Sequence, residues 1–337
     1  MRTRWKRVLR VGHKSRIRAL AGAQLVRLRR ARESRRPYVA VSLIEHMGDI
    51  LASEPVIRHL REAHPRAHLT WLVRAPYREL LEHHPDLDEV LTVECLTQTT
   101  YLRDGFPWDL YVDLHIHRRS CKVCRVPLKK SVGDPRIDVD RYYEFGSLLE
   151  AFCLGAGLPQ LTGAPRVYIP PASELSVNRL SLPARFAVVH CSSNEPERDW
   201  QTDKWVELCS ALSREGLGIV EVGVRSTLPP RPDWLDSCGR LSILETAEVI
   251  KRSALFVGVD SGPAHLANAT RCPSVILLGR YRRFKKYAPY TGFFREPGRN
   301  VIIHHDGPPA GIPVQQVLEA CKSILGAPLP SGTRLVT

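Results

Sequence analysis

Two α/β modules in tandem, each built on a parallel sheet, are the fold this sequence predicts. Short apolar runs, suited to strands covered on both faces, alternate with segments of helical periodicity. The alternation runs through residues 38–114 and begins again over residues 186–278. A proline-rich stretch, 159–183, separates the two passages. Such alternation makes parallel sheets with helical crossovers, which bind ligands at the carboxyl ends of their strands. The cleft between two modules is therefore the expected ligand site.

In the first module, YVAVSL (38–43) reads as the opening strand, and Glu45, His46, Met47, Gly48 and Asp49 as the turn after it. Residues 50–62 form a helix with Leu51, Ile57 and Leu60 on its apolar face. Strands follow at 68–73, 89–93 and 109–114, with a helix near 77–83. In the second module FAVVH (186–190), 218–223, 255–259 and 275–278 are strands, and 202–214 and 243–252 are helices.

The most informative segment is VGVDSGPAHLANATRCPSVILLG, residues 257–279. Asp260, Ser261, Gly262 and Pro263 have the composition of a turn that opens a helix, with proline at a tolerated first-turn position. A helix starting there aims unbonded N–H groups and its positive dipole end at the carboxyl edge of the sheet, where an anion such as a phosphate binds. His265 falls in that first turn. A strand, turn and helix with a glycine and a proline also occurs in α/β proteins at large, so the reading leans on the rest of the chain.

At 337 residues the chain has room for two domains, and 43% hydrophobic with 25% charged residues is an ordinary globular composition. No apolar run approaches the roughly 20 residues that cross a bilayer, and no secretory leader follows the first methionine, so the body is expected in the cytoplasm. Nine cysteines without a disulfide-like framework fit a reducing compartment. The net charge of +14 suggests nucleic acid until it is located. Residues 1–36 hold twelve Arg and two Lys against the single acid Glu33, a net +13 that leaves +1 for the other 301 residues.

That front segment reads as a basic extension to the fold. Trp5, Val8, Leu9, Ile17, Leu20, Leu25 and Leu28 recur at steps near the helical period, so a basic amphipathic helix suited to an anionic membrane surface is expected. An RNA-binding arm or a disordered basic tail are the alternatives. Aromatics for base stacking are nearly absent, so no nucleic acid is expected as a partner.

On these motifs the chain resembles the heptosyltransferases and their relatives in glycosyltransferase family 9, over most of residues 37–325. MGDILASEPVIRHLREAHP (47–65) matches the family's strand ending in Gly-Asp before a helix with a proline. Asp260, Ser261, Gly262, His265 and Ala269 match its Asp-Ser/Thr-Gly-x-x-His-x-x-x-Ala. PWDLYVDLH with Arg119 and Ser120, and GRLSILETAEVI, are of the same style.

The resemblance implies the GT-B architecture: two Rossmann-like domains facing a central cleft, here 37–170 for the acceptor and 171–337 for a nucleotide diphosphate sugar. It implies that Asp49 is the general base, with Gly48 and His46 beside it on the acceptor side. A capping role before Ile50 is the competing reading of Asp49. It implies Ser192, Ser193 and Arg198 as donor-binding residues together with Asp260, Ser261, Gly262 and His265, Arg198 standing where the family has Lys before an x-Trp pair. A cation and backbone amides at the departing diphosphate would make a divalent metal unnecessary. No cofactor is then expected beyond the sugar nucleotide itself, taken as ADP-linked.

Three features depart from the family. Relatives often have an acid just after the strand at 218–223, suited to ribose hydroxyls, whereas residues 224–228 (VRSTL) hold none. The loop RYRRFKKYAPY after Gly279 is unusually basic and aromatic. The basic front is additional.

HIHRRSCKVC (115–124) carries a Cys-x-x-Cys, Cys121 and Cys124, beside His115 and His117. No second ligand pair follows at zinc-finger spacing, so no metal is expected. The function expected is an inverting transfer of heptose or a similar sugar to a hydroxyl of a cell-envelope glycan or glycolipid, at the inner face of the bacterial inner membrane. The alternatives are a non-catalytic module that binds nucleic acid or anionic polymer through the basic arm and, more remotely, an epimerase or hydrolase on the same scaffold.

Overall fold

A computed structural model describes residues 2–33, 35–284 and 286–326, with side chains from Gly12 onward. The chain divides into two compact units: Met1–Tyr168 with Phe284–Pro289, and Ile169–Arg283 with Tyr290–Thr337.

The first unit contains α1 (Arg2–Ala31), β1 (Tyr38–Ser42), α2 (Met47–Ala52), α3 (Pro55–Ala63), β2 (His68–Val73), β3 (Glu89–Thr92), α4 (Leu96–Gly105), β4 (Leu110–Asp113) and α5 (Leu148–Ala156). Its sheet is wholly parallel in the order β3-β2-β1-β4. The single helix expected over 50–62 is two. Pro55 has no N–H to return to the Leu51 carbonyl, so α2 stops and α3 starts at the proline. The helix expected near 77–83 is a 3₁₀ turn, Ala75–Leu80. His84 precedes Pro85, a position that disfavours helical backbone.

The second unit contains α6 (Pro171–Val177), β5 (Phe186–His190), α7 (Thr202–Arg214), β6 (Gly218–Glu221), β7 (Trp234–Asp236), α8 (Ile243–Arg252), β8 (Leu255–Val259), α9 (Gly262–Ala269), β9 (Ser274–Leu278), β10 (Asn300–His304) and α10 (Val314–Leu325). The order is β10-β9-β8-β5-β6-β7, again parallel throughout. β5, β8 and β9 are buried at every residue, which is why they read as unbroken apolar runs.

The front segment, expected as an extension, is part of the first unit. Helix α1 lies along α4 and the β3 edge of the sheet. Ile17, Ala21 and Leu28 are buried in one core cluster with Tyr38, Leu91 and Leu102, and Leu25 packs against it. Burying Ile17 and Leu28 is worth about 4 kcal/mol together. Gln24 Nε2 donates to the Thr92 carbonyl at 2.7 Å, and Gln24 Oε1 accepts from Gln98 Nε2 at 2.7 Å.

Its charges are also met by the body. Arg16 faces Glu94, Arg27 faces Glu89, Arg32 faces Asp109 and Arg36 faces Asp88. Exposed pairs of this kind add little stability. They do show that part of the basicity is matched to acids of the fold. Trp5, Val8 and Leu9, named for the membrane face, have side chains outside the described residues. The later members of that face, Ile17, Leu25 and Leu28, are turned to protein, and only Leu20, at 36%, is markedly exposed. The physical reason is that a helix packed on a sheet edge spends its apolar stripe on that contact.

Candidate active site

In the first unit, Asp49 sits in the first turn of α2, directly beyond the carboxyl end of β1. The helix begins three residues earlier than the sequence suggested. His46, not Asp49, is therefore the capping position, and Asp49 stands three residues on, with Gly48 half-buried between them. The Asp49 carboxylate accepts the His46 N–H at 3.1 Å, and the His46 ring lies 3.7 Å from it. Burial alone would raise the Asp49 carboxyl. The hydrogen bonding to His46 and the positive charge of Arg119 outweigh it and hold the group below its ordinary range.

Glu45 stands beside this pair, with Arg74 Nη1 at 3.0 Å from its Oε2. Its carboxyl too is pulled down: burial opposes, but His46, Arg74, Lys122 and Arg119 win. Tyr77 is pushed up, by burial first and then by the negative charge of Glu45. The arrangement is an ionised carboxylate 22% exposed at a sheet edge, within the field of an arginine. Glu45, Arg74 and Tyr77 were not singled out from sequence. No spacing links residues 45, 74 and 77; the parallel pairing of β1 with β2 brings them together.

In the second unit, β5 and β8 are neighbours, so their carboxyl ends present adjacent loops. After β8, Ser261 is the N-cap of α9, and Pro263 stands in the first turn as expected. Ser261 makes no side-chain cap; its Oγ donates to the Val259 carbonyl at 3.1 Å instead. The helix thus starts without a side-chain cap from its N-cap residue, an arrangement that suits an anion.

After β5, the loop brings Arg198 to Asp260. Nη1 donates to Asp260 Oδ2 at 2.9 Å, and Asp260 Oδ1 accepts the Tyr290 hydroxyl at 2.6 Å. Asp260, assigned from sequence to the donor itself, is therefore engaged in orienting an arginine. Tyr281 lies under the Arg198 guanidinium at 5.0 Å, and Arg198 Nε is buried with no hydrogen-bond partner among the described residues. The His265 ring packs on Tyr290 with centroids 4.7 Å apart.

Ser193 is bonded within its own loop. Its Oγ donates to the Glu195 carbonyl at 2.7 Å, and its N–H donates to Asp199 Oδ1 at 2.6 Å. These bonds shape the turn that carries Arg198. Ser192 is half-buried in the same loop. Trp200 is the loop's anchor, its Nε1 donating to the Ile312 carbonyl at 3.0 Å while its ring packs edge-on to Trp205.

In the loop after Gly279 the aromatic residues turn inward while Arg280, Arg282, Arg283 and Lys286 are exposed. Tyr281, Phe284, Tyr287 and Tyr290 are all buried. Arg282 and the Tyr281 hydroxyl both reach Glu195 Oε1, at 3.2 and 3.3 Å. Residues Phe284–Pro289 belong to the first unit, where Phe284 packs on Tyr142 and Tyr143. The alternation of aromatics in that loop was the signal that could have placed it in a core.

An acid does stand at the end of β6. Glu221 is buried, and its carboxylate accepts from Thr227 N at 2.7 Å, Ser226 Oγ at 2.7 Å and Leu228 N at 3.2 Å. It holds the loop that follows rather than offering itself to a sugar hydroxyl.

Residues 172–292 match the family model described as glycosyltransferase family 9 (heptosyltransferase). Lipopolysaccharide heptosyltransferase 1 of Salmonella typhimurium is 22% identical over 278 residues, 69% of this chain and 85% of the relative. Lipopolysaccharide heptosyltransferase 3 of Escherichia coli is 23% identical over 184 residues, 47% of this chain. That match spans about half of the E. coli relative, 52%. Among solved structures, E. coli ADP-heptose lps heptosyltransferase II superposes with a TM-score of 0.65 at 18% identity, covering 86% of this chain and 98% of that one. A family 9 glycosyltransferase from Veillonella parvula gives 0.64 at 15% identity, over 86% and 97%. The fold is therefore the GT-B fold of heptosyltransferases.

Proposed function

The chain carries a glycosyltransferase family 9 (heptosyltransferase) domain, and on that premise we propose that it transfers heptose or a similar sugar, with inversion, from a nucleotide diphosphate donor to a hydroxyl of a cell-envelope glycan or glycolipid. The observation that carries the proposal is Arg198, held by Asp260 beside the uncapped start of α9. A fixed guanidinium and a helix N-terminus together match a diphosphate that gains charge as it leaves. ADP is the nucleotide we assign, following the named substrate of the E. coli relative.

Asp49 acts in this reading as general base. A carboxylate held low is a weak base, so it takes the proton late, once the attacking oxygen has begun to bond to the anomeric carbon and has become acidic. His46 fixes its direction through the amide bond, and Arg119 keeps it ionised. With the leaving charge met by Arg198 and backbone N–H groups, transfer proceeds without a divalent cation.

A lipid-anchored acceptor at the inner leaflet fits the exposed Arg18, Arg29, Arg30 and Arg35 of the front segment. With the apolar stripe of α1 used up, such attachment rests on charge. A thermal-shift titration with ADP, UDP, GDP, CDP and CMP tests the donor class, since a ligand of the folded state raises the melting temperature by mass action. Selective stabilisation by ADP supports the proposal, and no stabilisation by any of them at millimolar levels removes it.

A further inference from the structure

Two of the nine cysteines, Cys95 and Cys124, converge in the first unit on one histidine of the front helix, and Cys121 stands beside them. Cys121 and Cys124 come from the loop after β4, Cys95 from the N-cap of α4, and His13 from α1. The ligand atoms of His13, Cys95 and Cys124 all lie within 4.8 Å of one another. Cys95 Sγ and Cys124 Sγ are 3.8 Å apart. Cys121 Sγ accepts the Cys124 N–H at 3.3 Å.

These four residues were distant in the sequence reading, which set Cys121 and Cys124 beside His115 and His117. The structure gives His115 another role. Its Nδ1 is bonded to Asp113 Oδ1 at 2.7 Å and its Nε2 accepts the Ile44 N–H at 3.3 Å, so neither nitrogen is left for a ligand.

We propose that His13, Cys95 and Cys124 hold a thiophilic transition-metal ion, zinc or iron, with Cys121, the neighbouring thiol outside that group, turning in to complete four ligands. Ligands about 2.3 Å from a tetrahedral centre lie about 3.8 Å from each other, which is the Cys95–Cys124 separation. A disulfide needs about 2.05 Å. His13 Nε2 is buried without a hydrogen-bond partner among the described residues, a deficit that coordination removes. Three thiols and an imidazole are the donor set that selects zinc or iron over calcium or magnesium.

The loop is shaped for the task. Arg125 N–H returns to the Cys121 carbonyl and Cys121 N–H donates to the Val126 carbonyl, both at 2.8 Å, with Arg125 in the left-handed region at φ 57°. That fold-back brings the Cys124 amide to the Cys121 sulfur. Cys95, Cys121 and Cys124 belong to the same core cluster as Ile17, Ala21 and Leu28 of α1. The ion would therefore staple the basic front helix to the sheet edge, far in sequence from its other three ligands.

The test is elemental analysis of the full-length protein purified without chelator, with cobalt substitution alongside. About one zinc or iron per chain is expected, falling below about a tenth in Cys95→Ser and Cys124→Ser and unchanged in Cys272→Ser, whose thiol is in the second unit beside Ser253. Cobalt-loaded wild-type protein should show thiolate-to-metal charge-transfer absorption, a readout that needs no variant. Chelation should lower the melting temperature and expose three further thiols to a titrant. Metal below a tenth per chain with no cobalt–thiolate band overturns the proposal. So does metal retained in Cys124→Ser, or a disulfide between any two of the three cysteines.

Discussion

Arg198 and Asp260, 62 residues apart, form an ion pair at 2.9 Å in which the arginine is 20% exposed and the aspartate 7%. The pair ties the loop after β5 to the turn after β8. It also fixes the direction of the one guanidinium beside the start of α9 that the sequence had singled out.

Arg198→Ala should weaken ADP binding about tenfold to a hundredfold, measured by calorimetry, because a charge-assisted contact to phosphate is lost. Asp260→Asn should weaken it less, since the arginine remains but is no longer held. If Asp260→Asn lowers affinity more than Arg198→Ala does, Asp260 itself contacts the donor.

Asp49→Asn should reduce transfer about a thousandfold while donor affinity stays within about twofold of the parent. The pH profile follows from the depressed carboxyl: the base stays ionised down to below the usual range near 4, so the acid limb of kcat/KM should fall below about pH 4. A limb near pH 6 would assign the base to another group.

On the front helix, Ile17→Asp should destabilise the first unit by about 3 kcal/mol, since it puts a charge into the cluster with Leu91 and Leu102. Urea denaturation measures it. Replacing Arg18, Arg30 and Arg35 by Glu should leave stability nearly unchanged and abolish binding to anionic vesicles at low salt. Vesicle binding that survives this change would mean that charge is not its basis.

His190 closes β5 beneath the Ser192 loop, and its Nδ1 donates to the Val222 carbonyl at 2.7 Å. Burial pushes its pKa below the ordinary 6.5. In the unfolded chain it takes up a proton near 6.5, whereas in the folded chain it does so only at lower pH. Between those values the unfolded state binds more protons, so this residue makes stability fall as pH drops through 6.5. His190→Gln should flatten that part of a melting-temperature profile, and an unaltered slope would refute the assignment.

Much of the fold and part of the site could be read from residues in one stretch. β5, β8 and β9 announced themselves as fully buried apolar runs, and Ser261, Gly262 and Pro263 as the start of a helix. Such signals are local: burial on both faces and helix-start chemistry leave their mark on consecutive residues. Asp49 and Arg198 were singled out through motifs of the same short range.

What joined distant segments was decided by tertiary structure alone. The apolar steps of α1 suit a membrane or a protein neighbour equally, and only the position of α4 and β3 turned Ile17 and Leu28 inward. Asp260 looks in sequence like a ligand for the donor, yet Arg198 and Tyr290 reach it first. Cys121 and Cys124 were expected to hold no metal, because no further ligand pair follows them in sequence. The packing of α1 against the N-cap of α4 supplies His13 and Cys95, because hydrophobic periodicity specifies that a helix will bury a face but not which surface will receive it.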